Sequence, residues 1–405
     1  MTEWTAATIA AKPWLAAARV LAESFRRWHP DLPFHLLLAD EVEGRFDPAR
    51  EPYRTIPLSD LAIPHAERFR FRHTQQELTY AATPFLISHL LERGFERVLF
   101  LKQESLVVGD LGPLFERLDR SSILLTPHLL EPLAGADAVE RELGVLLAGV
   151  FNVGVLGVSA RAEARRFLSW WGERTELDCR HAVEEGLHYE QRWLDLAPSC
   201  FEEVEIAREP GANVGHWSLP ERRVEVEGER VLVDGGPGRV VRFSGYDPDR
   251  PERFTRHSPR LTRANAGPAA QLLARYHAGL LGAGERETRA WPYAFGRFDD
   301  GVAIPDVARE IYRELGAAVD RFGDPFAAAA ASSFRRYLEE PVDGIGGPAR
   351  RLTRLWRAVY DRRPDLRRAF PDLAGSDREP FLAWTASSGL REHGVAAELL
   401  GQRAR

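Results

Sequence analysis

Phe95-Glu96-Arg97-Val98-Leu99-Phe100-Leu101-Lys102-Gln103-Glu104-Ser105 is the stretch that decides how this chain folds. Its four consecutive apolar residues, Val98 to Leu101, have the length and content of a strand buried on both faces. Before it, Glu77 to Arg93 carries helical spacing and stops at Gly94. Outward from there the alternation repeats. Thr5 to Ala10 reads as a short strand. Trp14 to Trp28 reads as a helix with Leu15, Ala18, Leu21, Ala22 and Phe25 on one face, ended by His29-Pro30-Asp31. Phe34 to Ala39 is a further apolar run of strand length that leads into Asp40-Glu41. Strand, helix and strand in this order predict an α/β domain with a mostly parallel sheet and helices on its faces.

The polar end of the quoted stretch is as informative as its apolar part. Of 54 basic side chains in the chain only two are lysines, and one of these is Lys102. Ligands of open α/β sheets bind beyond the carboxyl ends of the strands. A compact ammonium on a flexible stem suits phosphate. The competing reading is a solvated charge that closes a strand.

The middle of the chain keeps the α/β pattern. Ser122 to Thr126 and Phe151 to Val158 read as strands, with a helix from Ala162 to Arg174 after the second. Arg223 to Val233 reads as a hairpin around Glu227-Gly228-Glu229, Gly235 to Gly238 as a loop, and Val240 to Phe243 as a last short strand. Further on the pattern becomes helical with Arg-rich polar faces, with candidate helices near Leu272, Val307, Phe326, Leu352 and Phe381. The expected organisation is an α/β domain over 1–265, a linker over 266–289 and a helical module over 290–405.

Composition bounds the function. The 405 residues are 44% hydrophobic and 28% charged, ordinary for a soluble globular protein, with room for two or three domains. A net charge of −6 argues against general nucleic-acid binding, which draws on a basic excess. Cys179 and Cys200 lack CxxC partners, and His181 alone makes a poor zinc site, so a reduced, cytoplasmic setting is expected. Met1-Thr2-Glu3-Trp4 has no basic n-region, and no apolar run approaches eighteen residues, so neither a signal peptide nor a membrane span is expected.

Several ordered pieces together resemble nucleotide-sugar glycosyltransferases of the GT-A fold, especially glycogenin-like and related bacterial enzymes. Phe95 to Glu104 is similar to the strand that ends in their DxD motif, and Gly109 to Phe115 to the stretch after it. Phe151-Asn152-Val153-Gly154 resembles their Asn-x-Gly strand. Tyr189-Glu190-Gln191 falls where an Asp-Gln pair is usual, and Arg242-Phe243-Ser244-Gly245 where His-Phe-x-Gly is usual. The resemblance covers roughly residues 4–260. It implies a Rossmann-like mixed sheet, a nucleoside-diphosphate-sugar donor, transfer to an acceptor and retention of anomeric configuration.

In that family the DxD carboxylates and the late His hold a divalent cation at the donor's diphosphate. Here the first carboxylate position is Lys102 and the His position is Arg242, permanent cations that coordinate no metal. One explanation is that Lys102 and Arg242 supply the charge a metal would bring, so that no metal cofactor is needed. The other is a silent scaffold that binds a carbohydrate or a partner protein. A third, dependence on a metal held by other carboxylates, also stays open. Random drift would not favour cations at both positions, so the metal-independent enzyme is preferred.

The resemblance also distributes roles. Thr8, Ile9 and Ala10 would meet the nucleotide, and Asp40 would face it or cap the next turn. Gln103 and Glu104 would serve the donor, with Glu104 orienting Lys102 or Arg242 as the rival role. Asn152 has amide groups for sugar hydroxyls, Gly154 leaves room beside it, and Ser244 and Gly245 complete the donor side. Glu190 and Gln191 would lie at the sugar's reacting face, with a Glu190–Arg192 pair as the alternative. His128, Asn213 and Trp217 would meet an acceptor, or pack as structural residues. The helical module would serve interaction, including self-association.

Overall fold

The computed structural model describes residues 3–346 and 351–400. The chain forms two compact units, one of Met1–Ile63 with Gln76–Tyr293 and the other of Pro64–Gln75 with Ala294–Arg405.

The first unit is built on a mixed seven-stranded sheet flanked by helices, as the α/β pattern requires. Its strands are β1 (Trp4–Ala10), β2 (Phe34–Leu38), β3 (Arg54–Pro57), β4 (Arg97–Leu101), β6 (Ile123–Pro127), β7 (Phe151–Ser159) and β10 (Val204–Ile206). Chain order leaves β5 for Ser105–Val107, with β8 (His181–Ala182) and β9 (Leu187–His188) a small separate ribbon. Across the sheet the order is β10-β6-β7-β4-β1-β2-β3, parallel except for β7, which runs against both neighbours. Every residue of β2 and β7 is buried, as expected for strands covered on both faces.

Helix α1 (Leu15–Trp28) lays Leu15, Ala18, Leu21, Ala22 and Phe25 against Phe34, Leu36, Leu99 and Leu101 of the sheet, the face its spacing predicted. β11 (Val224–Glu227) and β12 (Arg230–Val233) form the expected hairpin, turning at Gly228 with φ +60°. Gly236–Pro237, read as loop, pairs as β13 on β12, and β14 (Val240–Arg242) pairs antiparallel with β5. The helix expected near Leu272 forms over Ala269–Gly282, within the stretch 266–289 read as a linker. Its Leu272, Leu273 and Tyr276 pack on Val241, Phe243 and Phe254 of the same unit.

Two other expectations change. The helix read over Glu77–Arg93 is two: after α2 (Ala66–Arg72) come α3 (Gln75–Ala81) and α4 (Thr83–Glu92). Pro84 lacks the N–H that would bond the Tyr80 carbonyl, so the first helix stops short. Phe326 and the run Ala327–Ala331 lie in turns, because alanines alone present no stripe to bury. The helix expected near Leu352 forms over Arg354–Arg362, with Leu352 in the short strand Arg351–Thr353 just ahead of it.

The second unit is largely helical, with a core in which fully buried Phe71 meets Tyr312, Phe326 and Phe334. The buried Arg309 guanidinium donates to the carbonyls of Phe71, His73 (2.8 Å) and Phe295 (2.6 Å), tying 64–75 into this unit. Among the described residues no helix is long and apolar enough to cross a membrane.

Candidate functional site

Strand order reverses between β1 and β4: from β1 the chain moves outward through β2 and β3, and then crosses back to β4. Such a switch point opens a crevice at the carboxyl ends of the parallel strands. Both lysines of the chain stand there. Lys12 follows the end of β1 by two residues and Lys102 follows β4 directly. Because β7 runs the opposite way, its first residues, Phe151 and Asn152, also lie at this edge. The β5–β14 ribbon brings Arg242 level with Ser105, just past Lys102.

Lys102 and Arg242 are both buried, and each faces a carboxylate. The Lys102 ammonium lies 2.6 Å from Glu190 Oε1. The Arg242 guanidinium gives Glu104 Oε1 two bonds, at 3.0 Å from Nε and 2.7 Å from Nη2, and a third to Asn152 Oδ1 at 3.0 Å. Two cations and two carboxylates thus balance one another inside the protein. Burial pulls the Lys102 pKa below the usual lysine range; Glu190 counters this, and nearby Arg242 adds to it. At Glu104 burial favours the neutral acid, but Arg242 and Lys102 outweigh it and hold the carboxyl below its ordinary value. Glu104 Oε2 and Gln103 Oε1 are buried without a hydrogen-bond partner.

Asn152 is the hub of the polar cluster. Its Oδ1 accepts from Arg242, from the Gly154 N–H (2.7 Å) and from Asn213 Nδ2 (3.0 Å), while its Nδ2 stands 2.9 Å from His128 Nε2. Asn213 Nδ2 also reaches Thr126 Oγ1 at 2.9 Å. Gly154 is required by this cluster itself. A Cβ there would collide with Asn152 Oδ1 and stand 3.0 Å from Asn213 Oδ1 and 3.1 Å from Arg242 Cδ.

Two series of aromatic rings flank the ion pairs. Tyr80 packs on Tyr189 at 5.0 Å, which continues to His188 and His181. His128 packs on Trp217 at 5.2 Å, which continues to His216 and His257. Lys102 Nζ lies 3.3 Å from the Tyr80 centroid, and the Arg242 guanidinium carbon 5.8 Å from that of Trp217. Three of these histidines, His128, His188 and His216, are held neutral near pH 7. Burial, with Arg242 adding to it, lowers His128 to about 4, and burial, with His181 and Arg242 adding to it, lowers His188 to about 4. Burial likewise lowers His216 to about 3, with His257 and Arg242 contributing.

The other expected residues fall in distinct places. Glu190 pairs with Lys102 and not with Arg192, which bonds Asp195. Gln191 is engaged by backbone, accepting from the Val153 N–H at 3.1 Å and donating to the Ala148 carbonyl at 2.9 Å. Asp40 caps the turn after β1: its Oδ2 accepts the Lys12 N–H at 3.1 Å, and its Oδ1 lies 3.4 Å from the Lys12 ammonium. Thr8, Ile9 and Ala10 are buried at the end of β1, with Thr8 Oγ1 lacking a partner. Ser244 Oγ lies 3.5 Å from His257 Nε2, and Gly245 turns the chain with φ +72°.

Two residues at this edge escaped the sequence. Lys12, fully buried between Asp40 and Glu43, carried the same signal as Lys102, its rarity. Tyr80, inside an ordinary helical pattern, carried none. Among the described residues no group of three or more His, Cys, Asp or Glu side chains is placed to hold a metal ion.

No family model matches the chain. It is 25% identical over 244 residues to the uncharacterized protein YfnF of Bacillus subtilis (strain 168), covering 59% of this chain and 80% of YfnF. To YfnD of the same organism it is 21% identical over 197 residues, 47% of this chain and 60% of that protein. Among solved structures it is similar to the galactosyltransferase LgtC in complex with donor and acceptor sugar analogs. That likeness has 18% identity and a TM-score of 0.42, over 69% of this chain and 95% of LgtC. Similarity to the glycosyltransferase GlyE of Streptococcus pneumoniae TIGR4 has 15% identity and a TM-score of 0.41, over 74% and 67%.

Proposed function

We propose that this chain transfers a glycosyl group from a nucleoside-diphosphate sugar to an acceptor without a divalent metal. The observation that carries the reading is the placement of Lys102 and Arg242. They come from different strands into one buried polar cluster, at the switch point where α/β sheets bind ligands. In this reading the two cations meet the diphosphate and stabilise it as it departs, in a water-poor setting that strengthens their effect. Arg242 is held by Glu104 and Asn152, which fix its direction in the free protein.

Glu190 and Asn152 orient the donor sugar, and Gln191 contributes by pinning the chain ahead of β7. His128, Asn213 and Trp217 form the acceptor side, where a neutral imidazole and an indole face suit a hydroxylated ring. Retention of configuration, a GT-A relation to glycogenin-like enzymes and a contact role for the helical unit belong to the same reading. Because each cation already has an internal carboxylate, the donor binds by partner exchange: its phosphate oxygens take over hydrogen bonds that Glu190 and Glu104 hold in the free protein.

Calorimetric titration with a panel of nucleotide sugars, with and without chelator, tests this. Binding that survives chelator and disappears in Lys102→Ala supports the reading. Loss of turnover on chelation returns the role to a metal. The absence of binding to any nucleotide sugar leaves a carbohydrate- or protein-binding scaffold.

A further inference from the structure

Lys102 is buried where a lysine is ordinarily driven toward its neutral form, and among the described residues one carboxylate oxygen is its hydrogen-bond acceptor. For an ammonium to persist there, the rest of its surroundings must help to offset the burial. The nearest candidate is an aromatic face: Nζ lies 3.3 Å from the Tyr80 ring centroid, whereas the Phe100 ring is 5.9 Å away. An aromatic quadrupole attracts a cation at its face, and more strongly where water is excluded.

The same ring touches the residue that presents the counter-ion. Tyr80 meets Tyr189 edge-on at 5.0 Å, and Tyr189 immediately precedes Glu190. Tyr189 holds φ +48°, an unfavourable region for a bulky side chain, with its N–H bonded to the Arg180 carbonyl at 2.8 Å. The Tyr80 hydroxyl accepts from Gln76 Nε2 at 3.3 Å. The Lys102 ammonium meets the ring face.

We propose that Tyr80 is a positioning residue whose ring face fixes the Lys102 ammonium beside Glu190 and keeps it protonated for an anionic ligand. The ligand clause rests on the donor reading above; the effect on Lys102 does not. The groups that face this ammonium are Glu190 and His188 from the 187–190 turn, Glu104 from the β4–β5 turn, Arg242 from β14, and the Cys179 thiol. Burial drives the thiol up, so it stays neutral, and the phenol of Tyr80 is raised by burial with Glu104 and Glu190 adding to it.

The chain's two lysines make the test direct. Lysine-selective 13Cε labelling of the whole chain gives two NMR signals, which Lys12→Arg assigns, and their pH titration reads Lys102. Tyr80→Phe keeps the ring and is expected to leave the Lys102 pKa within about 0.3 of the parent. Tyr80→Leu removes the face and lowers it by about one pH unit, with the Lys12 signal unchanged as a check on the fold. An unaltered Lys102 titration in Tyr80→Leu, or an equal shift in Tyr80→Phe, overturns the proposal. Titration of the same variants with inorganic pyrophosphate separates the two readings. If Lys102 shifts as expected but pyrophosphate binds neither parent nor variants, Tyr80 keeps its role and the donor reading falls.

Discussion

Replacing Glu190 with glutamine should tighten the binding of diphosphates while making the free protein less stable. Glu190 Oε1 lies 2.6 Å from the Lys102 ammonium, so an arriving phosphate must share that cation. Unit charges about 3 Å apart at an effective dielectric near 20 attract by about 5 kcal/mol, and the same carboxylate repels an anion about 5 Å away by about 3 kcal/mol. An amide keeps the acceptor oxygen and removes both effects. Rotamer and hydration losses take back part of the gain, leaving about 1–3 kcal/mol, or roughly tenfold to hundredfold tighter binding. Without ligand, the Glu190→Gln substitution leaves a buried ammonium without its counter-charge, at a cost of about 3–5 kcal/mol. The signature is therefore two-sided: calorimetry with pyrophosphate shows a lower Kd, and thermal unfolding shows a lower Tm that saturating pyrophosphate restores. A folded variant that binds pyrophosphate equally or more weakly refutes partner exchange, and with it the idea that Glu190 competes for the cation.

Other consequences are more local. Gly154→Ala drives a methyl into Asn152, Asn213 and Arg242, and overpacking of this kind costs about 1–3 kcal/mol, readable as a shift in the urea midpoint. Phe71→Ala empties a fully buried site between Tyr312, Phe326 and Phe334, and should cost about 3–5 kcal/mol, detected as faster proteolysis of the helical unit. Acid should weaken the first unit before its carboxylates titrate. Burial lowers His35 to about 4, with Arg54 adding to it, and His128 to about 4, against an unfolded value near 6.5. Between these values the unfolded chain binds more protons, so stability falls as pH falls. By pH 5 each histidine removes about 2 kcal/mol, measurable by urea unfolding at pH 7 and pH 5.

Much of the α/β unit could be read from pattern. The run Val98–Leu101, the spacing of Leu15 to Phe25 and the turn at Gly228 each report a local period or a local backbone need, and each survives in the fold. Pattern and fold part where a local signal is weak or absent. Pro84 split a helix whose apolar spacing ran straight through it, and the alanines at 327–331 had propensity but nothing to bury. The candidate site was legible in part for the same reason. Lys102 stood out by rarity and Arg242 by its place in an ordered set of motifs. The partners they chose did not, since Glu190 is 88 residues from Lys102 and Glu104 is 138 from Arg242.

The sequence by itself determined the alternation of strand and helix around Val98–Leu101, the helical character of much of the last hundred residues and the identity of the side chains at the strand ends. Those follow from periodicity and residue type, which are properties of neighbours along the chain. Only the tertiary structure decided that Lys102 and Arg242 would each be matched by a carboxylate, that Gln191 would be spent on backbone, and that Tyr80 would lie against the ammonium. The reason is physical: in a buried crevice charge and hydrogen-bonding capacity must be satisfied by whatever the fold brings within about 3 Å, and sequence distance sets no limit on that choice.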